Sequence, residues 1–430
     1  MYWCKATLVL ALFLSGCSLK QNIDANKIQI YDNIDVNSTL YSDTLEAFYM
    51  LDESKNKEAL NKFYELYKIT KDSAYLKEAL KIAFVNRDEK LEEFIKEANK
   101  SIKNDFDIYR MEIGYYIYSS QIDEAKQLAK TLLAKEGQNS INHSILGTIY
   151  LLDNKPKMAL KELKIAYDLD PNEENVLKLA DILDNKLDRQ NDAIKYLENW
   201  IKENECSKPV CFALLNLYSS AGELNLMVEL YEKLYNEFKE VKFLQRALEI
   251  LVYKKDLLAA KILLEKYEFN DMALAEIYAE LGEYQNAYNM ATKIYNITKN
   301  PDYIAKMAIY KYEQYGKEIS KFELAIVIKL FEDTMKLTNN PVYLNYYGYL
   351  LIDHEIDIKK GLELVKKAYE IDPNSPFIID SVAWGYYKLG DCKEAKIWMD
   401  KVKDDIKFMN TNEALEHKIK IDKCLIKGKK

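Results

Sequence analysis

The stretch from Ser140 to Glu173 constrains the fold most tightly, because its 34 residues have the pattern of two amphipathic helices joined by a turn. Leu146, Gly147 and Tyr150 lie on one face of the first predicted helix. The turn ends at Pro156, a residue that is tolerated in the first turn of a following helix. The second helix runs toward Asp170-Pro171, where the pattern ends.

Small residues mark the point at which these two helices are expected to cross. Gly147 on the first helix and Ala159 on the second are twelve positions apart, which places them opposite each other. Small side chains at a crossing allow the two backbones to approach closely. A single hairpin cannot bury its own apolar face, so it needs neighbours of the same kind.

Similar pairs of small or apolar residues recur along most of the chain and predict such neighbours. The fold class that follows is all-α: a superhelical α-solenoid of about eleven helix hairpins over residues 40–409, with a capping helix and basic tail at 410–430. A divergent pair with a longer connection is expected around Gly316. The predicted pairs are Ala47 with Ala59, Ala79 with Leu91, Gly114 with Ala125, Ala180 with Ala193, Ala247 with Ala259, Ala275 with Ala287, Gly348 with Gly361 and Ala383 with Ala395.

The hairpins resemble the tetratricopeptide repeat (TPR), which has a period of 34 residues and small and aromatic residues at these positions. The last 85 or so residues also resemble, as a block, a group of proteobacterial TPR proteins. The residues that carry this second resemblance are Asp380-Ser381, Trp384, Tyr387, Leu389-Gly390 and the segment Ala414 to His417. The resemblance implies a fold and a cell-envelope setting and implies no activity.

The N-terminus has the pattern of a secretory signal. Lys5 is followed by an apolar run from Ala6 to Leu14, which is too short to span a bilayer as a helix. The next residues, Leu14-Ser15-Gly16-Cys17, resemble the lipobox of bacterial lipoproteins. In that family the signal peptide, here residues 1–16, is removed and the cysteine, here Cys17, carries acyl chains such as palmitate. An ordinary signal peptide with a chance cysteine is the alternative interpretation.

The resemblance to lipoproteins also implies a location. Several acyl chains anchor a protein stably where one chain binds only marginally. Ser18, in place of Asp after the cysteine, implies transfer to the outer membrane, so the protein is expected at its periplasmic face. Residues 17–39 are polar and are predicted to connect the lipid to the folded body. The formal charge of −8 gives the chain no bulk attraction to nucleic acid.

Four cysteines remain once Cys4 leaves with the signal and Cys17 is lipidated, and the predicted compartment is oxidising. Cys206 and Cys211 lie on either side of a loop. Cys392 lies in a repeat turn, and Cys424 follows it 32 residues later, about one repeat away. Because adjacent repeats stack in parallel, we expect the disulfides Cys206–Cys211 and Cys392–Cys424.

The sequence contains no motif that supports catalysis. It has no phosphate-binding glycine loop, no paired histidines at metal-ligand spacing and no nucleophile elbow, so neither an enzyme nor a cofactor or metal is predicted. His354 lies between two acids in a predicted repeat turn, where charged residues are usual. Asp380-Ser381 is interpreted as the cap region of a helix N-terminus.

The concave face of a TPR array is the expected binding surface. In the last two repeats it is predicted to carry partner-binding residues with amide, carboxylate and aromatic groups, suited to an extended peptide or a helix. The alternative is that these aromatic side chains pack against the capping helix. The predicted residues are Asn345, Tyr349, Asp380, Trp384 and Tyr387.

These patterns lead to two functional hypotheses. The first is a lipid-anchored periplasmic scaffold that binds envelope proteins and assists assembly of outer-membrane, secretion, pilus or flagellar machinery. The second is a regulatory adaptor that recruits peptidoglycan enzymes. A glycan-cleaving enzyme is a third class, but it would need a pair of acids in a cleft, and the sequence shows none.

Overall fold

The computed structural model describes residues 38–427, and within that range it contains α-helices and short 3₁₀ turns but no strand. The predicted signal peptide, Cys17 and nearly all of the predicted tether lie outside the described residues. The chain divides into two compact units, with the boundary between Glu237 and Phe238. The sequence patterns did not indicate this division.

From Ser38 onward, the described part of the first unit contains twelve helices that follow each other as six pairs. Their bounds are α1 Ser38–Asp52, α2 Asn56–Thr70, α3 Ser73–Asn86, α4 Leu91–Ser101, α5 Phe106–Tyr118, α6 Ile122–Glu136, α7 Ser140–Leu152, α8 Pro156–Leu169, α9 Glu173–Leu187, α10 Gln190–Glu203, α11 Lys208–Ala221 and α12 Leu224–Phe238, whose last residue lies past the boundary.

The second unit adds five pairs and a terminal segment. Its helices are α13 Val241–Tyr253, α14 Leu257–Tyr267, α15 Asp271–Glu280, α16 Tyr284–Thr298, α17 Asp302–Tyr315, α18 Lys321–Met335, α19 Pro341–Asp353, α20 Ile358–Ile371, α21 Pro376–Lys388, α22 Cys392–Met399, α23 Ile406–Met409 and α24 Asn412–Lys427. Eleven pairs and a terminal helix therefore confirm the all-α repeat prediction. The longer connection around Gly316 is a 3₁₀ turn, Gly316–Glu318.

Helix pair α7–α8 shows how the local sequence sets the ends of the helices. Asn139 caps α7 by accepting hydrogen bonds from the backbone N–H groups of Ile141 and Asn142. Pro156 occupies the first turn of α8, where its missing N–H costs nothing. Ala159 is fully buried, and the two helices span the stretch that the sequence pattern predicts.

A close helix crossing lies between α19 and α20. A Cβ placed on Gly348 would lie 2.8 Å from the carbonyl oxygen of Gly361, and one placed on Gly361 would lie 2.7 Å from that of Gly348. Glycine at both positions is what lets the two backbones meet. The predicted pair Gly348 and Gly361 therefore allows close approach of the two helix backbones.

Two local predictions are wrong. In α14 the fully buried residue is Ala260 and not Ala259, because α13 extends one residue further beyond Ala247 than α7 does beyond Gly147. Asp380 and Ser381 do not cap a helix. Helix α21 already begins at Pro376, so both residues lie in its second turn and are buried.

No helix among residues 38–427 is both long enough and apolar enough to cross a membrane.

Candidate functional site

The predicted partner-binding residues lie on two neighbouring first helices of the second unit. Asn345 and Tyr349 are on α19, and Asp380, Trp384 and Tyr387 are on α21. Helix α24 packs against α21 and α22. It brings His417 to these residues, and we call Tyr349, Asp380, Trp384, Tyr387 and His417 the terminal cluster.

Trp384 is the centre of the terminal cluster and is only 2% exposed. Its ring stacks on the imidazole of His417 with centroids 3.9 Å apart and on the ring of Tyr387 at 4.8 Å. The indole N–H donates to Asp353 Oδ1 at 3.0 Å, so the one polar group of the side chain is satisfied. The indole thus joins three helices, α19, α21 and α24.

Asp380 and His417 form a buried polar pair beside the indole. Asp380 Oδ2 lies 2.8 Å from His417 Nδ1, and both side chains are at least 95% buried. Pairing of this kind compensates the cost of placing a carboxylate in the core. Tyr349 contacts the same helix, because its hydroxyl donates to Glu413. Burial, followed by this bond, raises the pKa of Tyr349 well above its ordinary value.

Two lysines flank the terminal cluster. The ammonium groups of Lys388 and Lys420 lie 5.3 Å and 5.1 Å from the centre of the Trp384 ring. Lys388 also donates to Glu355 at 2.6 Å, and this ion pair lowers the pKa of Glu355. The predicted repeat turn at 353–355 is therefore held against α21, because Asp353 and Glu355 both bind residues of that helix.

Two of the five predicted partner-binding residues pack inside the protein. Trp384 and Asp380 are buried by contacts with α24 and Asp353, so neither exposes surface to a partner. Asn345, Tyr349 and Tyr387 are half-buried, and contact with a partner stays a prediction for them. Two oxygens of these residues, Asn345 Oδ1 and Asp380 Oδ1, are buried without a hydrogen-bond donor among residues 38–427.

A second polar pair lies at the end of α19. The hydroxyl of Tyr312 and Nε2 of His354 are 3.1 Å apart, and the two rings meet edge to face. Burial lowers the pKa of His354, an effect that Asp353 opposes and that Lys317 and Lys388 reinforce. Burial, with Asp353 and Glu313, also raises the pKa of Tyr312 to about 12. Both groups are thus held neutral near pH 7.

We expect His354 to make the second unit less stable as the pH falls. Its folded pKa lies below the unfolded value near 6.5, so the unfolded chain binds the proton more tightly. The stabilisation is fully present above pH 6.5 and is lost as the pH falls through the folded pKa. Urea unfolding at pH 7.5 and pH 5.5 should show a smaller pH effect in His354→Gln than in the parent, and equal effects would contradict this.

The first unit contains a polar network that the sequence analysis missed. His143 on α7 bridges Glu162 at 2.7 Å and Gln138 at 2.9 Å, and only 6% of it is exposed. Lys178 on α9 donates to Ser144 at 2.7 Å, and burial lowers its pKa. The sequence does place Glu162 19 positions after His143, on the second helix of the same predicted hairpin, and this spacing could have indicated the contact. The His143 bonds hold α7 to α8, and the Lys178 bond joins this pair to the next one.

The cysteines are paired in the structure as the sequence reasoning expects. Cys206 is bonded to Cys211 with Cα atoms 5.9 Å apart, and both residues are fully buried. Cys392 is bonded to Cys424 with Cα atoms 5.7 Å apart. The second bond ties α24 to α22. Closing a loop of this length restricts the unfolded chain, which contributes about 3–4 kcal/mol.

The described residues contain no group of three His, Cys, Asp or Glu side chains placed to hold a metal ion. A shallow opening of about 250 Å³ lies beside Tyr278 and Lys293 on α15 and α16. It is small for an organic ligand site. The geometry of residues 38–427 is therefore that of stacked helices with internal polar links.

Comparison with known proteins supports the repeat family. No family model matches the chain. A TPR repeat-containing protein of Pseudomonas aeruginosa is 33% identical over 61 residues, which is 14% of this chain and 10% of that protein's length.

Solved structures with helical repeats are also similar to this chain. The Pseudomonas aeruginosa pilF structure has a TM-score of 0.37 at 14% identity and covers 49% of this chain and 96% of its own. The APC/C hetero-tetramer Cut9–Hcn1 has a TM-score of 0.34 at 10% identity, covering 88% and 92%. With its helix pairs and its small residues at the crossings, the chain has an all-α helical-repeat architecture, and one segment of it is similar to a TPR repeat-containing protein.

Proposed function

We propose that the protein is a lipid-anchored scaffold at the periplasmic face of the outer membrane that binds protein partners. The observation that carries the proposal is the order of two features in one chain. A lipobox-like Leu14-Ser15-Gly16-Cys17 comes first, and an array of helix pairs follows from Ser38. The first feature would hold the chain at a membrane, and the second is an architecture that binds proteins.

The scaffold would act by co-localisation. Confinement to a membrane raises the effective concentration of anything that the repeats bind, and it does so without a catalytic group. In the terminal cluster, His417 and Asp380 pair with each other across helices and so contribute to the packing of the array. The half-buried Tyr349 and Tyr387 remain available at the edge of the terminal cluster.

The lipid anchor is tested by Cys17→Ala. Without the sulfur that receives the lipid, the variant is expected to stay unprocessed or to leave the membrane fraction. Membrane fractionation and mass measurement of the N-terminal peptide provide the readout. Cys206→Ser is the matched control, because it removes a cysteine of the folded body and should leave fractionation unchanged. An unchanged distribution of Cys17→Ala would reject the anchor.

The partner is tested by photo-crosslinking in intact cells. A photoreactive amino acid replaces Tyr387 at the edge of the terminal cluster, and a control replaces Tyr253, which is 80% exposed on another helix. Capture of one envelope assembly at position 387 alone would support the scaffold. Capture of wall hydrolases or synthases would favour the adaptor that recruits peptidoglycan enzymes. Equal capture at both positions would reject the terminal cluster as the binding surface.

A further inference from the structure

Helix α1 presents an apolar stripe to solvent. Tyr41, Leu45, Phe48 and Tyr49 are 60%, 52%, 45% and 60% exposed. Their spacing of four, three and one residues places all four on one face of the helix, since each residue turns the chain by about 100°. No other helix among residues 38–427 has four large hydrophobic side chains so exposed.

The opposite face of α1 is apolar as well. Ala47 is fully buried against α2, and Leu40 and Leu51 are packed beside it. Phe48 lies at the edge of the stripe, where its ring meets that of Phe63 at 5.0 Å. A surface helix of a globular protein keeps one face polar, whereas a helix that is apolar on both faces is covered on both. The stripe therefore has the composition of a covered surface.

Two of the three charged residues of α1, Asp43 and Glu46, lie off the stripe, and each forms an ion pair of 2.8 Å with Lys62 on α2. The third, Asp52, is exposed at the C-terminal end of the helix, one turn beyond Phe48 and Tyr49. The stripe itself consists of two phenols, one phenyl ring and one leucine. It has no cation that would attract an acidic protein or an anionic headgroup. A surface that covers the stripe would contact it through apolar groups and aromatic rings. The phenol hydroxyls of the tyrosines would lie where that surface meets water.

We propose that this stripe rests on the surface of a phospholipid bilayer, with its rings at the boundary between headgroups and acyl chains. The inference rests on the proposed lipid anchor. Only 20 residues separate Cys17 from Ser38, so an anchored Cys17 would hold α1 within about 70 Å of the bilayer. Tyr is enriched where one end of a side chain is apolar and the other wet, as at a membrane surface.

The test places a nitroxide at the stripe in the lipidated full chain. Tyr49→Cys carries the label, and Tyr253→Cys, 80% exposed on α13, carries it in a matched control. Each protein is reconstituted in phosphatidylcholine vesicles. Electron paramagnetic resonance then compares accessibility to oxygen, which concentrates in acyl chains, with accessibility to a polar nickel chelate. Flotation of the vesicles reports the lipid anchor separately.

A label at position 49 is expected to favour oxygen over the nickel chelate severalfold, at low and at high salt, whereas the control favours the chelate. Adding Tyr41→Asp and Leu45→Asp should abolish the preference. Adding Ile69→Asp, at a 77% exposed site on α2, should leave it intact.

Three results would overturn the inference. If both labels are equally open to the chelate in vesicles that float with the protein, the anchor holds and the stripe is not at the bilayer. Shielding of position 49 from both reagents would indicate that another protein surface, such as a second copy, covers it. Failure of the protein to float would remove the anchor and the inference together.

Discussion

Replacing Trp384 with alanine is expected to lower the free energy of unfolding of the second unit by about 3–5 kcal/mol. The side chain is 2% exposed, stacks on His417 and Tyr387, and donates its N–H to Asp353. Its loss leaves a cavity between three helices and a buried carboxylate oxygen without its donor. Urea unfolding followed by circular dichroism measures the change.

The control for this experiment is Phe322→Ala. Phe322 belongs to the same unit and is 74% exposed, so its truncation should change the free energy of unfolding by less than about 0.5 kcal/mol. A double-mutant cycle with His417→Ala isolates the ring stacking. We expect a coupling energy of about 0.5–3 kcal/mol, because the two rings are in contact. A loss at Trp384 no larger than that at Phe322 would mean that α24 does not cover the indole.

The second large effect is expected for Gly361→Ala. The new Cβ would lie 2.7 Å from the carbonyl oxygen of Gly348 and 2.7 Å from a side-chain carbon of Ile352. Since one of these atoms is backbone, the two helices must separate, which costs about 1–3 kcal/mol net. Alanine's better helix propensity, worth about 1 kcal/mol, offsets only part of the strain. Thermal and urea unfolding of the second unit measure the loss.

Gly147→Ala is the matched comparison in the first unit. Its Cβ would lie 2.7 Å and 2.8 Å from side-chain carbons of Leu163, whereas the nearest backbone atom, the carbonyl oxygen of Ala159, is 3.4 Å away. A leucine side chain can shift more easily than a backbone carbonyl. We therefore expect a smaller loss for Gly147→Ala than for Gly361→Ala. The reverse order would show that the two backbones at the α19–α20 crossing can separate at little cost.

Most of the repeat framework could be predicted because its signals act over short distances. The predicted stretch at Ser140 encodes α7 and α8 through an Asn cap, a Pro in the first turn and a small residue on each helix. The exception at Ala260 has a local cause too. Helix α13 extends one residue further beyond Ala247 than α7 does beyond Gly147, so the next small core residue comes one position later in the chain.

The site was predicted less completely, because helical periodicity does not distinguish a binding face from a packing face. Tyr349 and Trp384 occupy equivalent positions on α19 and α21, and both are aromatic. Trp384 is buried, but Tyr349 is only half-buried. His417 of α24 stacks on Trp384 with centroids 3.9 Å apart, whereas the ring of Tyr349 lies 6.1 Å from the same imidazole, and His417 is 33 residues beyond Trp384 in the chain.

The sequence by itself determined the helical periods, the small residues at the crossings and the capped ends of the helices, because each depends on residues a few positions apart. Only the tertiary structure decided which polar side chains are buried and bonded to groups inside the protein. Asp353, Asp380 and His417 have polar neighbours in sequence, yet each forms a hydrogen bond with a group on another helix. Burial depends on how separate helices pack, and no short stretch of sequence contains that information.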